Sequence, residues 1–384
     1  MDRRILVLLI IIAISNGYLF AQYDISFTGY VVELPVYSII NKDLSDLFSL
    51  DQDQFMNLTR LRLRPEIHLW SGGRINIEYE ADVLYSKQNE FLFFNQTVNN
   101  RQIINFKWDI YKKNGFDISH YIDRLYLRQG FDWGNIIIGR QRIAWGVGRV
   151  WSPTDLFNPI NPANFGKIEK GGVDAASITY SFGSFTDLNV VYNPQDKLAE
   201  SNAGFRFRTN FSGYDFAFVG GYFDQRIIAG GDFAGSLIEA GLRGEGIISM
   251  DKNNIGNNFI KLVFGMDNQF TSKLYGLIEY QYNGEGSPEK LKYNLLGLLN
   301  GTIINLSQNY IVMSGSYQIT PLFTLTLADN ANLNDGSGYL SISGNYSVSD
   351  NGALTAGIFQ SYGSFLSEYW YYPRAYYLEG QFFF

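Results

Sequence analysis

Residues 375–384 read AYYLEGQFFF. With period two, Tyr376, Leu378, Gly380, Phe382 and Phe384 fall on one side, and Tyr377, Glu379, Gln381 and Phe383 on the other. That pattern suits a strand with one apolar, lipid-compatible face. A buried C-terminal strand of a soluble protein reads the same way, so recurrence elsewhere in the chain decides the fold.

The pattern recurs. In 57–69, Leu61, Leu63, Ile67 and Leu69 share one face while Arg60, Arg62, Arg64, Glu66 and His68 share the other; in 74–85, Ile75, Ile77, Tyr79, Ala81 and Val83 oppose Arg74, Asn76, Glu78, Glu80 and Asp82. A three-residue loop at 70–72 sets Arg60 against Asp82, Arg62 against Glu80 and Arg64 against Glu78. Moving the turn by one residue sets Glu66 against Glu78, a like-charge pair that cross-strand energetics disfavour. The first register is therefore expected, with Pro65 as the place where a bulge would break it. Comparable alternation appears at 176–182, 205–208, 215–222, 260–267, 274–282 and 340–348. These segments have about the ten residues that a tilted membrane strand needs.

Tight junctions at Ser71-Gly72, Gly130-Phe131, Gly183-Ser184, Ser212-Gly213 and 350–352 alternate with long stretches, notably 86–119 and 144–172. A closed barrel has that rhythm. The fold class expected is all-β, a transmembrane antiparallel β-barrel of 16 to 18 strands. Direct counting yields 17 candidates, and an even number is needed to bring both termini to one end. The conflict falls between Tyr222 and Ser249, where 225–229 is a missed strand or 236–247 is wrongly phased.

Composition agrees. Among 384 residues there are 27 Tyr, 30 Phe and 39 Gly but no Cys and only 2 His, an aromatic excess that a soluble core does not need. Absence of Cys excludes a thiol nucleophile, a thiolate metal site, a disulfide and a lipidated cysteine. With 30 basic against 37 acidic residues, the chain lacks the basic excess of a nucleic-acid-binding protein. At the N-terminus, basic Arg3-Arg4, the apolar run 5–14 and a small-residue exit at 16–21 read as a signal peptide cleaved after Ala21. The remainder, 22–384, is expected to be one barrel domain.

The closing strand resembles that of bacterial outer-membrane β-barrels. Their terminal aromatic is an insertion signal, so the resemblance implies recognition of Phe384 by the barrel-assembly machinery. It also implies outer-membrane lipid as surroundings and a Gram-negative source.

The segment 139–165, GRQRIAWGVGRVWSPTDLFNPINPANF, is the least strand-like of the mature chain. Trp145, Arg149, Trp151, Asp155 and Phe157 are spaced through Gly146, Gly148, Pro153, Pro159 and Pro162, which suits a rigid irregular loop carrying function. Its Gly139-Arg140-Gln141 start, Trp145-Gly146, Asn158-Pro159 and Asn161-Pro162 resemble a stretch of porin-like outer-membrane barrels, and alginate-export-type and other solute channels carry a related Gly-Arg-Gln strand. That resemblance implies a loop folding towards the lumen beside a basic wall. The wall candidates are Arg60, Arg62, Arg64, Arg124, Arg128, Arg140, Arg142, Arg206 and Arg208, faced by Glu78, Glu80 and Asp82. Such rows either create a transverse field that sorts solutes or neutralise one another. The loop either forms an aromatic constriction or packs the barrel mouth.

The function expected is diffusion of small hydrophilic solutes; the alternatives are a structural, assembly or export barrel and, behind it, an outer-membrane hydrolase. Replacing Arg60, Arg62 and Arg64 by Ser should then move ion preference towards cations. His68 and His120 sit near opposite ends of their strands and lack a catalytic motif, so no catalytic residue is assigned. No metal or cofactor is expected: the calcium-like opening at 251–256 has Ile255 at a ligand position and Leu262 in place of the closing Glu. Porin-like trimers leave a homo-oligomer open.

Overall fold

The period-two segments pair into one antiparallel ladder. A computed structural model describes residues 24–87, 101–157, 169–299 and 303–384. Its strands are β1 (Asp24–Ile39), β2 (Asp53–Trp70), β3 (Gly73–Ser86), β4 (Lys107–Lys113), β5 (Phe116–Phe131), β6 (Gly134–Gln141), β7 (Val173–Ser181), β8 (Asp187–Asn193), β9 (Asn202–Phe211) and β10 (Tyr214–Phe223). They continue as β11 (Arg226–Leu237), β12 (Ala240–Asp251), β13 (Phe259–Gln269), β14 (Leu274–Asn283), β15 (Asn309–Thr320), β16 (Phe323–Asn332), β17 (Ser337–Ser349), β18 (Gly352–Tyr362) and β19 (Arg374–Phe383). The expected leader, 1–21, lies outside the described residues.

The ladder closes on itself. Along the β1–β19 seam Tyr30 pairs with Phe383 and Tyr37 with Tyr376. Beyond it, Gly29 N donates to Phe384 O at 2.8 Å and Phe384 N to Gly29 O at 3.0 Å. The terminal residue therefore completes the hydrogen bonding of the first strand, which leaves no open edge there.

The 19 strands make an 18-strand barrel, because β4 and β6 share one position. β6 covers the part of β5 from Leu125 to Phe131, and β4 covers Phe116 to Tyr121 above it. The odd count of the sequence reading has a local cause. β11 is the missed strand, and 236–247 straddles the turn into β12. Nothing marks that turn: Ile238 and Glu239 carry it without Gly, Pro or Asn, although Ile238 takes φ +60°. The stretch 86–119, read as loop, also holds β4, which meets β5 through an Asn114-Gly115 turn.

In the first hairpin the charge-matched register is the observed one, with Arg60 opposite Asp82 and Arg62 opposite Glu80. Pairing is interrupted beside Pro65 but resumes unshifted at Glu66 and Asn76; the irregularity lies instead at Leu69, next to a two-residue turn. Pro65 costs a ladder bond, yet β1 continues past it on the other side with Phe27 opposite Pro65.

Outward positions are mostly apolar and exposed, as at Ile25, Phe27, Leu127, Ile138, Phe218, Phe264, Leu327 and Ile358, with Glu33 on β1 an exposed exception that accepts from Asn57 and Thr59 at 2.6 Å. Aromatic rings border this band at both ends. At the long-loop end, Tyr376, Tyr37, Phe55, Tyr85 and Phe116 follow one another, with Tyr37–Tyr376, Phe55–Tyr85 and Tyr85–Phe116 centroids 6.4, 6.3 and 4.8 Å apart. At the short-turn end Phe131, Trp133, Tyr180 and Phe182 do the same. Inward positions are largely polar.

Candidate functional site: a segment held inside the barrel

After Gln141 the chain leaves the wall and runs inside the barrel. Ile143, Trp145, Leu156 and Phe157 pack on Val173, Ala175, Val191, Val219, Phe223, Ile228 and Ile247, all inward residues of β7 to β12. Further along, Trp151 packs with Val263, Tyr310, Val312 and Tyr369. The segment therefore spans the inner wall from β7 to β15. Its aromatic side chains turn to the wall: Trp145, Trp151 and Phe157 are buried, Trp145 Nε1 donates to Asn189 Oδ1 at 3.0 Å, and Phe157 meets Phe223 edge-on at 4.9 Å.

Two wall carboxylates fix the backbone of this segment. Glu279 on β14 accepts three consecutive amides, Arg149 N at 2.7 Å, Val150 N at 3.0 Å and Trp151 N at 2.8 Å. Glu245 on β12 accepts Gly148 N at 2.6 Å, Thr154 N and Ser152 Oγ at 3.1 Å, and Thr154 Oγ1. Both carboxylates are buried and neither has a salt-bridge partner among the described residues. The amide dipoles thus take the place of a cation. Glycine is required here. A Cβ at Gly148 would lie 1.8 Å from Trp151 O, and Gly146 takes φ +89°.

A charge network fixes the far end. Arg62, 3% exposed, reaches Glu78, Glu80 and Asp123, with Glu169 at 3.6 Å. Arg60 holds Glu80 at 3.0 Å and Asp82 at 2.9 Å, and Arg124 holds Glu78 at 2.6 Å and Glu169 at 3.3 Å. Arg64 pairs with Glu169 and lies 3.7 Å from Glu78. Glu169 belongs to the returning end of the inserted segment, whose Gly172 N donates to Asp123 Oδ1 at 3.1 Å. Asp123 takes part because of a bulge: Glu78 pairs with Arg124 but Tyr79 with Ile122, so two successive β5 side chains face inward.

The remaining sequence candidates divide. Arg206 pairs with Asp232 at 3.1 Å and Arg208 with Asp187 at 2.6 Å, both on the inner wall. Asp155 is buried against Lys170. Arg128 is half-buried, opposite Arg74. Arg140 differs from its expected place on the basic wall. It continues the outward face of Ile136 and Ile138, and its guanidinium is spent on Asp174 Oδ1 at 2.7 Å, Ile122 O at 3.2 Å and the ring of Phe106 at 4.7 Å. Arg142 and Arg149 stay exposed; Arg149, 57% exposed, lies 4.0 Å from Asp267 on the inner wall. Asn158, Pro159, Asn161, Pro162 and Phe165 lie outside the described residues.

The arrangement is therefore not of open arginine rows, since most of the wall guanidiniums are paired. Sequence reasoning missed Glu245, Glu279, Asp123, Glu169 and Asp267. Glu245 and Glu279 look like ordinary inward strand residues, and only the loop arriving from elsewhere gives them partners. The two histidines do not meet. His68 faces inward beside Glu66 at 3.0 Å, while His120 faces outward between Tyr79 and Trp108, seven residues along β3.

No family model matches the chain, nor does any curated protein. Among solved structures it is similar to OccD3 (OpdP) of Pseudomonas aeruginosa, with a TM-score of 0.55 and 9% identity over 94% of this chain and 91% of that one. A triple mutant of the Rhodopseudomonas blastica porin matches with a TM-score of 0.49 and 12% identity over 94% of this chain and all of the other. The likeness to OccD3 is one of fold: the architecture is that of a porin-type barrel.

Proposed function

We propose that this chain is an outer-membrane channel for the diffusion of small hydrophilic solutes. The observation that carries the reading is the 142–157 segment pinned inside a closed barrel by Glu245 and Glu279, which narrows an interior whose outer surface suits lipid. From Phe27 to Tyr37, β1 crosses the apolar band in ten residue-to-residue steps, about 25 Å of height at the usual tilt. An 18-strand barrel is wide enough for an aqueous path beside such a segment. Because most of the wall cations are paired, the exposed Arg149 is an inner charge available to a passing solute. Export by a cleaved 1–21 leader and assembly through Phe384 belong to the same proposal, and no catalysis is assigned.

One observation favours the structural or export alternative. Inward residues Tyr30, Val32, Leu34, Val36, Met56 and Leu58 form a buried apolar patch, which suits a filled interior. Liposome swelling separates the two readings. Proteoliposomes in isotonic pentose, hexose and trisaccharide should swell at rates that fall with solute size. Absence of swelling with every sugar, from a correctly folded barrel, would favour the filled barrel.

A further inference from the structure

The β18–β19–β1 seam carries a cavity of about 390 Å³ at its long-loop end, within the size range of small-molecule sites. Its chemistry is one-sided. Lys42 and Arg374 supply two exposed cations, Asn41 and Gln360 supply amides, Tyr362 and Trp370 supply rings, and no carboxylate lines it among the described residues. Neither Lys42 nor Arg374 has an ion-pair partner among the described residues, whereas the arginines of the inner wall are mostly paired.

Its position narrows the ligand. Arg374 pairs with Ile39, and Tyr376 with Tyr37 one outward step below, so Arg374 continues the face of the aromatic belt. Gln360 lies opposite Leu340, an exposed outward residue, and Tyr362 is itself exposed outward. These residues of the cavity therefore stand on the outside of the barrel, just beyond the apolar band. Side chains at that level meet lipid headgroups. Amides and ring faces suit the hydroxyls and C–H faces of a sugar, and an unpaired Arg beside a Lys suits phosphate or carboxylate.

We infer that this cavity binds the anionic saccharide headgroup of an outer-leaflet lipid. The inference rests on the outer-membrane reading of the barrel. It is tested by reconstituting the full chain and a K42S/R374S variant into phosphatidylcholine vesicles with and without lipopolysaccharide, extracting each in mild detergent and measuring retained lipopolysaccharide. Both substituted residues are exposed, so the variant should fold and insert like the parent. The parent should retain lipopolysaccharide and the variant about tenfold less, as expected for loss of charge-assisted contacts. Equal retention by the two proteins would overturn the inference, and competition by millimolar glucosamine phosphate, a soluble fragment with the chemistry of that headgroup, would support it. Failure of both proteins to insert into either vesicle would count instead against the membrane reading.

Discussion

Glu279 holds three successive amides of the inserted segment with one carboxylate. Glu279→Gln keeps the shape but replaces one acceptor oxygen by a donor that faces amide hydrogens. With hydrogen bonds to charged groups worth about 1.5–3 kcal/mol, loss of roughly 3 kcal/mol locally is expected. Amide exchange at 149–151 should rise by about a hundredfold while the strands stay protected. Arg62 poses the opposite problem, since Glu78, Glu80 and Asp123 converge on it inside the wall. Arg62→Ser should cost about 3–5 kcal/mol, because it leaves carboxylates buried without their cation. The drop should be visible as a lower temperature for loss of heat-modifiable migration. The triple serine variant of Arg60, Arg62 and Arg64 should therefore show a stability loss as well as a shift towards cations.

At the scale of elements, the loop between β18 and β19 carries a titratable group of its own. Glu368 is buried and accepts Leu306 N at 3.0 Å, Asn332 Nδ2 at 2.9 Å and the Tyr310 hydroxyl. Burial outweighs those donors and pushes its carboxyl up to about 7. The folded loop thus binds a proton that the unfolded chain releases at ordinary carboxylate pH. Its packing should be strongest below about pH 4.5, weaken as pH rises towards 7 and stay weaker above. Exchange of the 368–372 amides should be slower at pH 5 than at pH 8, after correction for intrinsic rates, and Glu368→Gln should abolish the difference. Elements also show how far sequence reaches. The β2–β3 register was legible because opposite charges face each other across it, whereas β11 was hidden by Gly230, Gly231 and Gly235 and by a turn without turn residues. An irregular loop at 139–165 was legible from its Trp, Gly and Pro spacing, whereas its course towards the lumen was implied only by the resemblance to porin-like channels. Its anchors were not legible, since alternation shows which way a residue faces and not what arrives there. Asp123 was hidden for a further reason, a bulge that reverses the parity of β5.

For the whole molecule, closure follows from small local agreements: aromatic belts at two levels, matched registers and a terminal Phe384 bonded to Gly29. Eighteen strands enclose the inward segment, so that in the proposed channel the bore is set by that segment rather than by the wall alone. The central claim is that the 142–157 segment, latched by Glu245 and Glu279, narrows a conducting path. It is tested most directly by single-channel current across a planar bilayer, comparing the parent barrel with the E245Q/E279Q variant. Stable steps of uniform size in the parent, with larger or noisier steps once the latch is cut, are the expected result. Silence from both inserted proteins, or identical steps from the two, would contradict it.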